Sequence, residues 1–142
     1  MEITIRCPVH PTEDTERVKK AVETHLGNVP LEMVKHNQIL EMTYTGTERH
    51  CLSLVRQSIQ EKRILAVVRT RLMKNFNDLE YTTSMHLDKQ AAFVGKFRLI
   101  DNDDENPPLG SIEIHFLFTS FPLFQEFLDW FCPRTKDGKV IN

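Results

Sequence analysis

Two stretches of strict alternation, one near each end of the chain, constrain the fold more than any other feature. Ile3, Ile5, Cys7 and Val9 alternate with Glu2, Thr4, Arg6 and Pro8. Ile112, Ile114, Phe116 and Phe118 alternate with Ser111, Glu113, His115 and Leu117. A period of two with one apolar and one polar face marks a half-buried strand. Such strands need cover on one side only, which calls for a sheet with helices packed on one face. Pro8 has no N–H for a ladder, so the first strand is expected to end there or to lie at an edge.

Between these strands the pattern changes period. Thr12 is positioned to cap a helix whose first turn holds Glu13, Asp14 and Glu16, with Val18, Val22 and Leu26 as its apolar stripe and Gly27-Asn28 as its stop. Leu31–Lys35 and Ile39–Thr45 read as two short strands around His36-Asn37-Gln38. From Thr47 the spacing is helical. One stripe runs through Leu52, Val55 and Ile59 and a second through Leu65, Val68 and Leu72. At about 100° per residue the stripes point roughly 140° apart, so the helix is expected to break near Glu61-Lys62-Arg63. Glu80–Leu87 and Ala92–Ile100 have strand character, and 101–108 is a polar loop. Ser120 caps a last helix carrying Leu123, Phe124, Phe127, Leu128 and Phe131, Pro133 ends it, and Asp137-Gly138 marks a turn. The order β-α-β-β-α-α-β-β-β-α predicts one α+β domain over residues 1–142, with a mixed, largely antiparallel sheet.

With 40% hydrophobic and 27% charged residues in 142 positions, the chain can bury a core. No apolar run approaches the roughly 18 residues that span a bilayer, and the start of the chain lacks the form of a signal peptide, so the expected location is cytoplasmic and no membrane partner is expected. Three widely spaced cysteines, Cys7, Cys51 and Cys132, fit reduced thiols.

Enzyme chemistry finds no foothold. The five glycines form no phosphate-cradling loop and no nucleophile elbow. Cys7 and His10 have a spacing a metal accepts, but a second ligand pair is missing. His50 and Cys51 are neighbours on a helix and point away from each other. The carboxylates of 101–108 lack the glycine and the distal glutamate of a calcium loop. Glu13, Asp14 and Glu16 read as helix-start charges. The expectation is a non-catalytic protein with no cofactor and no metal.

Charge is unevenly spread. Residues 1–55 carry 6 basic and 8 acidic side chains, residues 56–98 carry 9 and 4, and residues 99–142 carry 3 and 8. The net values of −2, +5 and −5 describe a basic middle between acidic flanks, suited to an anionic partner. With Leu65, Val68 and Leu72 turned inward, Arg63, Arg71 and Lys74 share an outward sector, with Arg69 at its flank and Arg56 and Lys62 just before it. Lys89, Gln90 and Lys96 add donors around Phe93 and Gly95. Such a surface neutralises phosphates without reading sequence. Phe93 reads as core, and Trp130 as core with an edge at a partner surface.

Pro11-Thr12-Glu13-Asp14 after an opening strand, Arg63-Ile64-Leu65, Lys89-Gln90-Ala91-Ala92-Phe93-Val94-Gly95-Lys96, Pro108-Leu109-Gly110 and the ending from Trp130 to Gly138 resemble a family of uncharacterised archaeal proteins along essentially the whole chain. The resemblance implies a ribosomal protein L-five-like α+β fold and an RNA-binding or exosome-associated role. Ala66 stands where that family often has an acidic residue. The leading expectation is therefore an RNA-associated protein that holds phosphate backbone through Arg56, Arg63, Arg69, Arg71, Lys74, Lys89, Gln90 and Lys96, with RNA or an RNA-processing complex as partner. The alternative is an adaptor or homodimer in which the acidic C-terminal third docks on a basic middle.

Overall fold

The computed structural model describes residues 1–136, 139 and 140. Strands β1 (Glu2–Val9), β2 (Glu32–His36), β3 (Ile39–Gly46), β4 (Thr82–Asp88) and β5 (Ser111–Leu117) form one antiparallel sheet in the order β2-β3-β1-β5-β4. Helices α1 (Thr15–Leu26), α2 (Ser53–Glu61), α3 (Leu65–Lys74), α4 (Lys89–Phe93) and α5 (Phe121–Phe131) complete the core. Two short strands, β6 (Thr135–Lys136) and β7 (Lys139–Val140), pair with each other near the end of the chain. The expected turn at Asp137-Gly138 lies outside the described residues.

Alternation sets which face is covered. Ile3, Ile5, Cys7 and Val9 are buried beside Ile112, Ile114 and Phe116, and Thr83, Met85 and Leu87 continue that face on β4. The helices lie over it. Phe116 and Phe118 pack on Phe124 and Phe127 of α5, and Phe76 stacks on Phe124 with ring centroids 4.1 Å apart. The opposite face carries Glu2, Thr4, Arg6, Thr43, His86, Glu113 and His115 and faces solvent or is half-buried.

β1 is central where it pairs with both β3 and β5, but its ladder to β5 ends at Arg6↔Glu113. Pro8 therefore has a partner on the β3 side only. Across from it the loop before β5 closes in: Gly110, at φ +86°, comes so near that a Cβ there would meet Pro8 Cγ at 2.4 Å. Only glycine fits that approach.

The expected helix break is present. α2 ends at Glu61, Arg63 adopts φ +57°, and α3 begins at Leu65. Ser120 caps α5 through a bond from the Leu123 N–H. Two expectations need correction. The strand foreseen over Ala92–Ile100 is replaced by α4, a turn at Gly95 (φ +75°) and a lone bridge from Leu99 to Leu87. The reason is a local cap: Asp88 accepts from the N–H groups of Gln90 (2.9 Å) and Ala91 (3.3 Å), and the alanines then favour a helix. The second concerns α1, which is capped by Asp14 rather than Thr12. Thr12 instead bonds His10, and Glu13 turns inward, away from the helix dipole.

Candidate nucleic-acid interface

The basic helix face does not stand open. A guanidinium or ammonium on a helix is free to meet phosphates only if no carboxylate of the same chain reaches it first. The polar loop after Leu99 folds back onto α3. Arg71, whose side chain is 9% exposed, donates through Nε to Asp101 at 2.8 Å and through Nη1 to Asp103 at 2.6 Å, and Lys74 Nζ reaches the other oxygen of Asp103 at 2.7 Å. These bonds, Lys74's first, hold the Asp103 carboxyl below the usual aspartate range, and the bonds to Asp101 and Asp103 hold the Arg71 guanidinium above the ordinary arginine range.

Arg69, Arg56 and Arg49 face α5 and the residue after it. Arg69 Nη1 donates to the Cys132 carbonyl at 3.1 Å and pairs with Asp129 at 3.0 Å. Arg56 Nε donates to the Trp130 carbonyl at 2.9 Å, and its guanidinium lies 5.0 Å from the Trp130 ring centre. Arg49 lies 5.1 Å from the same ring and forks onto Glu126 with two bonds of 3.0 Å. Two arginines thus lie against the half-buried Trp130 ring. Arg98 joins Asp88 and Glu105 in the same manner. Four cations of the basic middle, Arg69, Arg71, Lys74 and Arg98, thus pair with carboxylates of the acidic last third within one chain.

Lys89 needs the plainest correction. As a helix-start residue after a polar strand end it was expected at the surface, yet it is fully buried. Its ammonium donates to Glu13 Oε1 at 2.8 Å, to the Pro8 carbonyl at 3.0 Å and to the Leu109 carbonyl. All three ammonium donors are used, so none is left for a phosphate. Three segments that carry the family resemblance, at Glu13, Lys89 and Leu109, meet at this one nitrogen.

Among the expected site residues, Arg63, Gln90 and Lys96 remain exposed, and no ion pair or side-chain hydrogen bond holds them among the described residues. Lys96 and Gln90 lie on the α4 segment, which packs against α1. There α1 contributes two cations that the linear reading missed, Arg17 and Lys20, both exposed and one turn apart. Arg17 sits over the half-buried Phe93 ring at 5.5 Å. Their signal was present in the sequence, as positions three apart on the side of α1 away from Val22. Arg63 is at the α2–α3 turn and does not join them in contact.

Thiol and metal chemistry find no site among the described residues. Burial pushes the Cys7 thiol up to about 12 and the Cys132 thiol up to about 12, and it raises Cys51 as well. A thiolate nucleophile needs the opposite environment. No cluster of three histidine, cysteine or carboxylate side chains gathers among the described residues, and none of the helices there is long and apolar enough to cross a membrane.

A family model described as RNA binding matches residues 2–118. The chain is 31% identical over 143 residues to the UPF0201 protein of Aeropyrum pernix, covering 99% of this chain and 91% of that protein. It is also 31% identical to a UPF0200/UPF0201 protein of Archaeoglobus fulgidus, of whose length it spans only 40%. Among solved structures, the UPF0201 protein of Methanococcus jannaschii superimposes with a TM-score of 0.79 at 26% identity, over the full length of both chains. A DUF54 protein of Methanothermobacter thermautotrophicus matches with a TM-score of 0.57 at 20% identity, a likeness of fold alone.

Proposed function

The chain belongs to the archaeal UPF0201 family and to the family described as RNA binding, and from that premise we propose that it associates with RNA through the edge formed by α1 and α4. The observation that carries this reading is the set of cations there. Arg17, Lys20 and Lys96 have no carboxylate partner among the described residues, whereas Arg49, Arg69, Arg71, Lys74 and Arg98 all do. Gln90 and Val94 are exposed on the same α4 segment. Such an edge attracts phosphate backbone electrostatically and reads no base sequence, so affinity is weak and falls steeply with salt. Arg63 extends the same behaviour at the α2–α3 turn. The role is one of binding; an RNA-processing complex such as the exosome is the class of assembly in which a weak backbone contact of this kind is useful.

The rival, docking of the acidic third on another copy's basic middle, has less charge to draw on, because five of the nine cations in residues 56–98 are already in ion pairs within the chain. Fluorescence anisotropy with a labelled single-stranded RNA and a labelled hairpin at two salt concentrations tests the proposal. Loss of three phosphate contacts in an R17E/K20E/K96E variant flattens the salt dependence by about 2 log units per decade for single-stranded RNA. A K74E control on α3 leaves binding as it was. Absence of binding at low salt, or full binding by the triple variant, refutes the reading.

A further inference from the structure

The two outer strands of the sheet, β4 and β2, are finished differently. An outer strand carries a row of N–H and C=O groups that its one neighbour does not use. On β4 these groups are largely taken within the chain. The Ser84 carbonyl accepts from Asn75 Nδ2 at 2.9 Å and the His86 carbonyl from the Ile100 N–H at 2.9 Å. The Asp88 N–H donates to the Arg98 carbonyl at 2.9 Å, and Asn77 bridges to Thr82.

On β2 the row stands open. The turn at Asn37-Gln38, with φ +49° and +66°, closes the β2–β3 hairpin at His36↔Ile39. In a two-residue turn of that form the closing pair exchanges both bonds, and alternation then points the N–H and C=O of Met33 and Lys35 away from β3. No hydrogen bond outside the ladder reaches either backbone among the described residues. All five residues of β2 are exposed, Met33 and Val34 at 42% each. Proline and bulges, which commonly blunt such a strand, are absent from its continuous register, and Lys35 is its one lysine.

We propose that β2 is a dimer edge, pairing antiparallel with β2 of a second copy so that the two sheets run into one. Facing side chains in a ladder lie on the same side, so a two-fold axis normal to the sheet must set one residue opposite itself. Centring on Lys35 opposes two ammonium groups. Centring on Met33 leaves Glu32 against Val34 and Lys35 against Leu31. Centring on Val34 sets Val34 on Val34 and Glu32 opposite His36 on both sides of the axis, with Met33 and Lys35 as the hydrogen-bonded pairs. That register uses the open groups in about four backbone bonds, and each carboxylate meets an imidazole N–H. Met33 and Lys35 lie on the side of the buried Met42, where the Lys35 stem covers Met33 of the second copy while its ammonium stays in water. The strand is thus complementary to itself, which selects a second copy over a strand of another protein. The contact draws on neither the basic middle nor the acidic third. Five residues bury less than the roughly 1,200 Å² of a permanent interface, so the dimer is reversible.

Sedimentation velocity from about 5 µM to about 1 mM should show monomer giving way to dimer. Met33→Pro removes an outward N–H and leaves the ladder to β3 whole, so it should raise the dimer Kd at least tenfold with an unchanged circular dichroism spectrum. The register is read by cysteines under mild oxidation with diamide. Val34→Cys sets two thiols across a non-hydrogen-bonded pair with Cα atoms about 4.5 Å apart, within disulfide reach, and should give a covalent dimer. Met33→Cys is as exposed, but its Cα atoms lie about 8 Å apart across the axis, and it should stay uncrosslinked. The native thiols are buried and do not interfere. The R17E/K20E/K96E variant should dimerise like the native chain, which separates this edge from the α1–α4 edge. A chain still monomeric at about 1 mM overturns the proposal and leaves β2 to a strand of another protein or to none. Dimerisation of M33P equal to that of the native chain, or crosslinking of M33C as fast as that of V34C, overturns it as well.

Discussion

Replacing Lys89 by methionine removes the ammonium while keeping the length of its stem, and the structure fixes what is left behind. Glu13, 7% exposed, loses its ion-pair partner, and the Pro8 and Leu109 carbonyls lose their side-chain donor. Breaking a buried pair by removing one partner costs about 3–5 kcal/mol, because the remaining charge stays desolvated. The thioether fills nearly the same space, so little cavity cost is added. A loss of about 4 kcal/mol follows, which for a chain of this size lowers Tm by roughly 12–16 °C. Urea unfolding followed by circular dichroism measures it. The double variant K89M/E13Q carries neither charge and is expected to recover about 2 kcal/mol of the loss, since replacing both partners is far cheaper than removing one. A K89M loss under about 1 kcal/mol, or a double variant no better than the sum of the two single changes, would refute the assignment of this ammonium as the clasp between β1, α4 and the 108–110 loop.

Acid stability and thiol reactivity offer two further checks. Asp103 is held below its ordinary 3.8 by Lys74 and then Arg71, and Glu105 below its ordinary 4.5 by Arg98. With the folded values lowered, the unfolded chain takes up protons first, so this stability is fully present above about pH 4.5 and disappears as pH falls through the lowered values. D103N and E105Q together should flatten the fall in urea midpoint below pH 4.5, and an unchanged slope would count against the network. For the cysteines, Cys7 and Cys132 at about 12 should resist a thiol reagent at pH 8 in the folded state and react fully in urea. Rapid native labelling at either position would contradict their burial.

The sheet was legible because its evidence is local. Ile3 to Val9 and Ile112 to Phe118 declare their buried face by alternation alone, and the break at Arg63 follows from two stripes that cannot share one straight helix. The segment after Leu87 misled for a local reason too. Phe93 and Val94 favour a strand, but the Asp88 side chain offers two N–H groups a cap, and that outweighs a propensity worth less than about 1 kcal/mol. The candidate site was less legible, since its geometry is non-local. Nothing at position 89 announces a buried lysine. Its burial depends on Glu13, 76 residues away, and on the Pro8 and Leu109 carbonyls, which lie beyond the end of the ladder to β5 at Arg6.

The charge asymmetry shows the same limit and supplies a direct test of it. Counted along the chain, residues 56–98 form a basic block, yet Arg69, Arg71, Lys74, Lys89 and Arg98, five of its nine cations, end in ion pairs. Four of those five pair with residues of the acidic last third, because the loop after Leu99 lies on α3 and α5 presents Asp129 to Arg69. A linear count therefore overstates the positive field at the surface. If that account is right, neutralising the loop should uncover what it conceals. In D101N/D103N the geometry of the loop is retained while Arg71 and Lys74 lose their counter-charges. Heparin, a polyanion that asks nothing of base chemistry, should then bind more tightly than to the native chain at low salt. For single-stranded RNA, one regained phosphate contact, at the exposed Lys74, steepens the salt dependence by about 0.7 log units per decade. The gain should vanish when Lys74 is also made glutamine and Arg71 methionine. Equal affinity of D101N/D103N and the native chain for heparin would mean that the carboxylates mask nothing, and that the basic block is neutral for another reason.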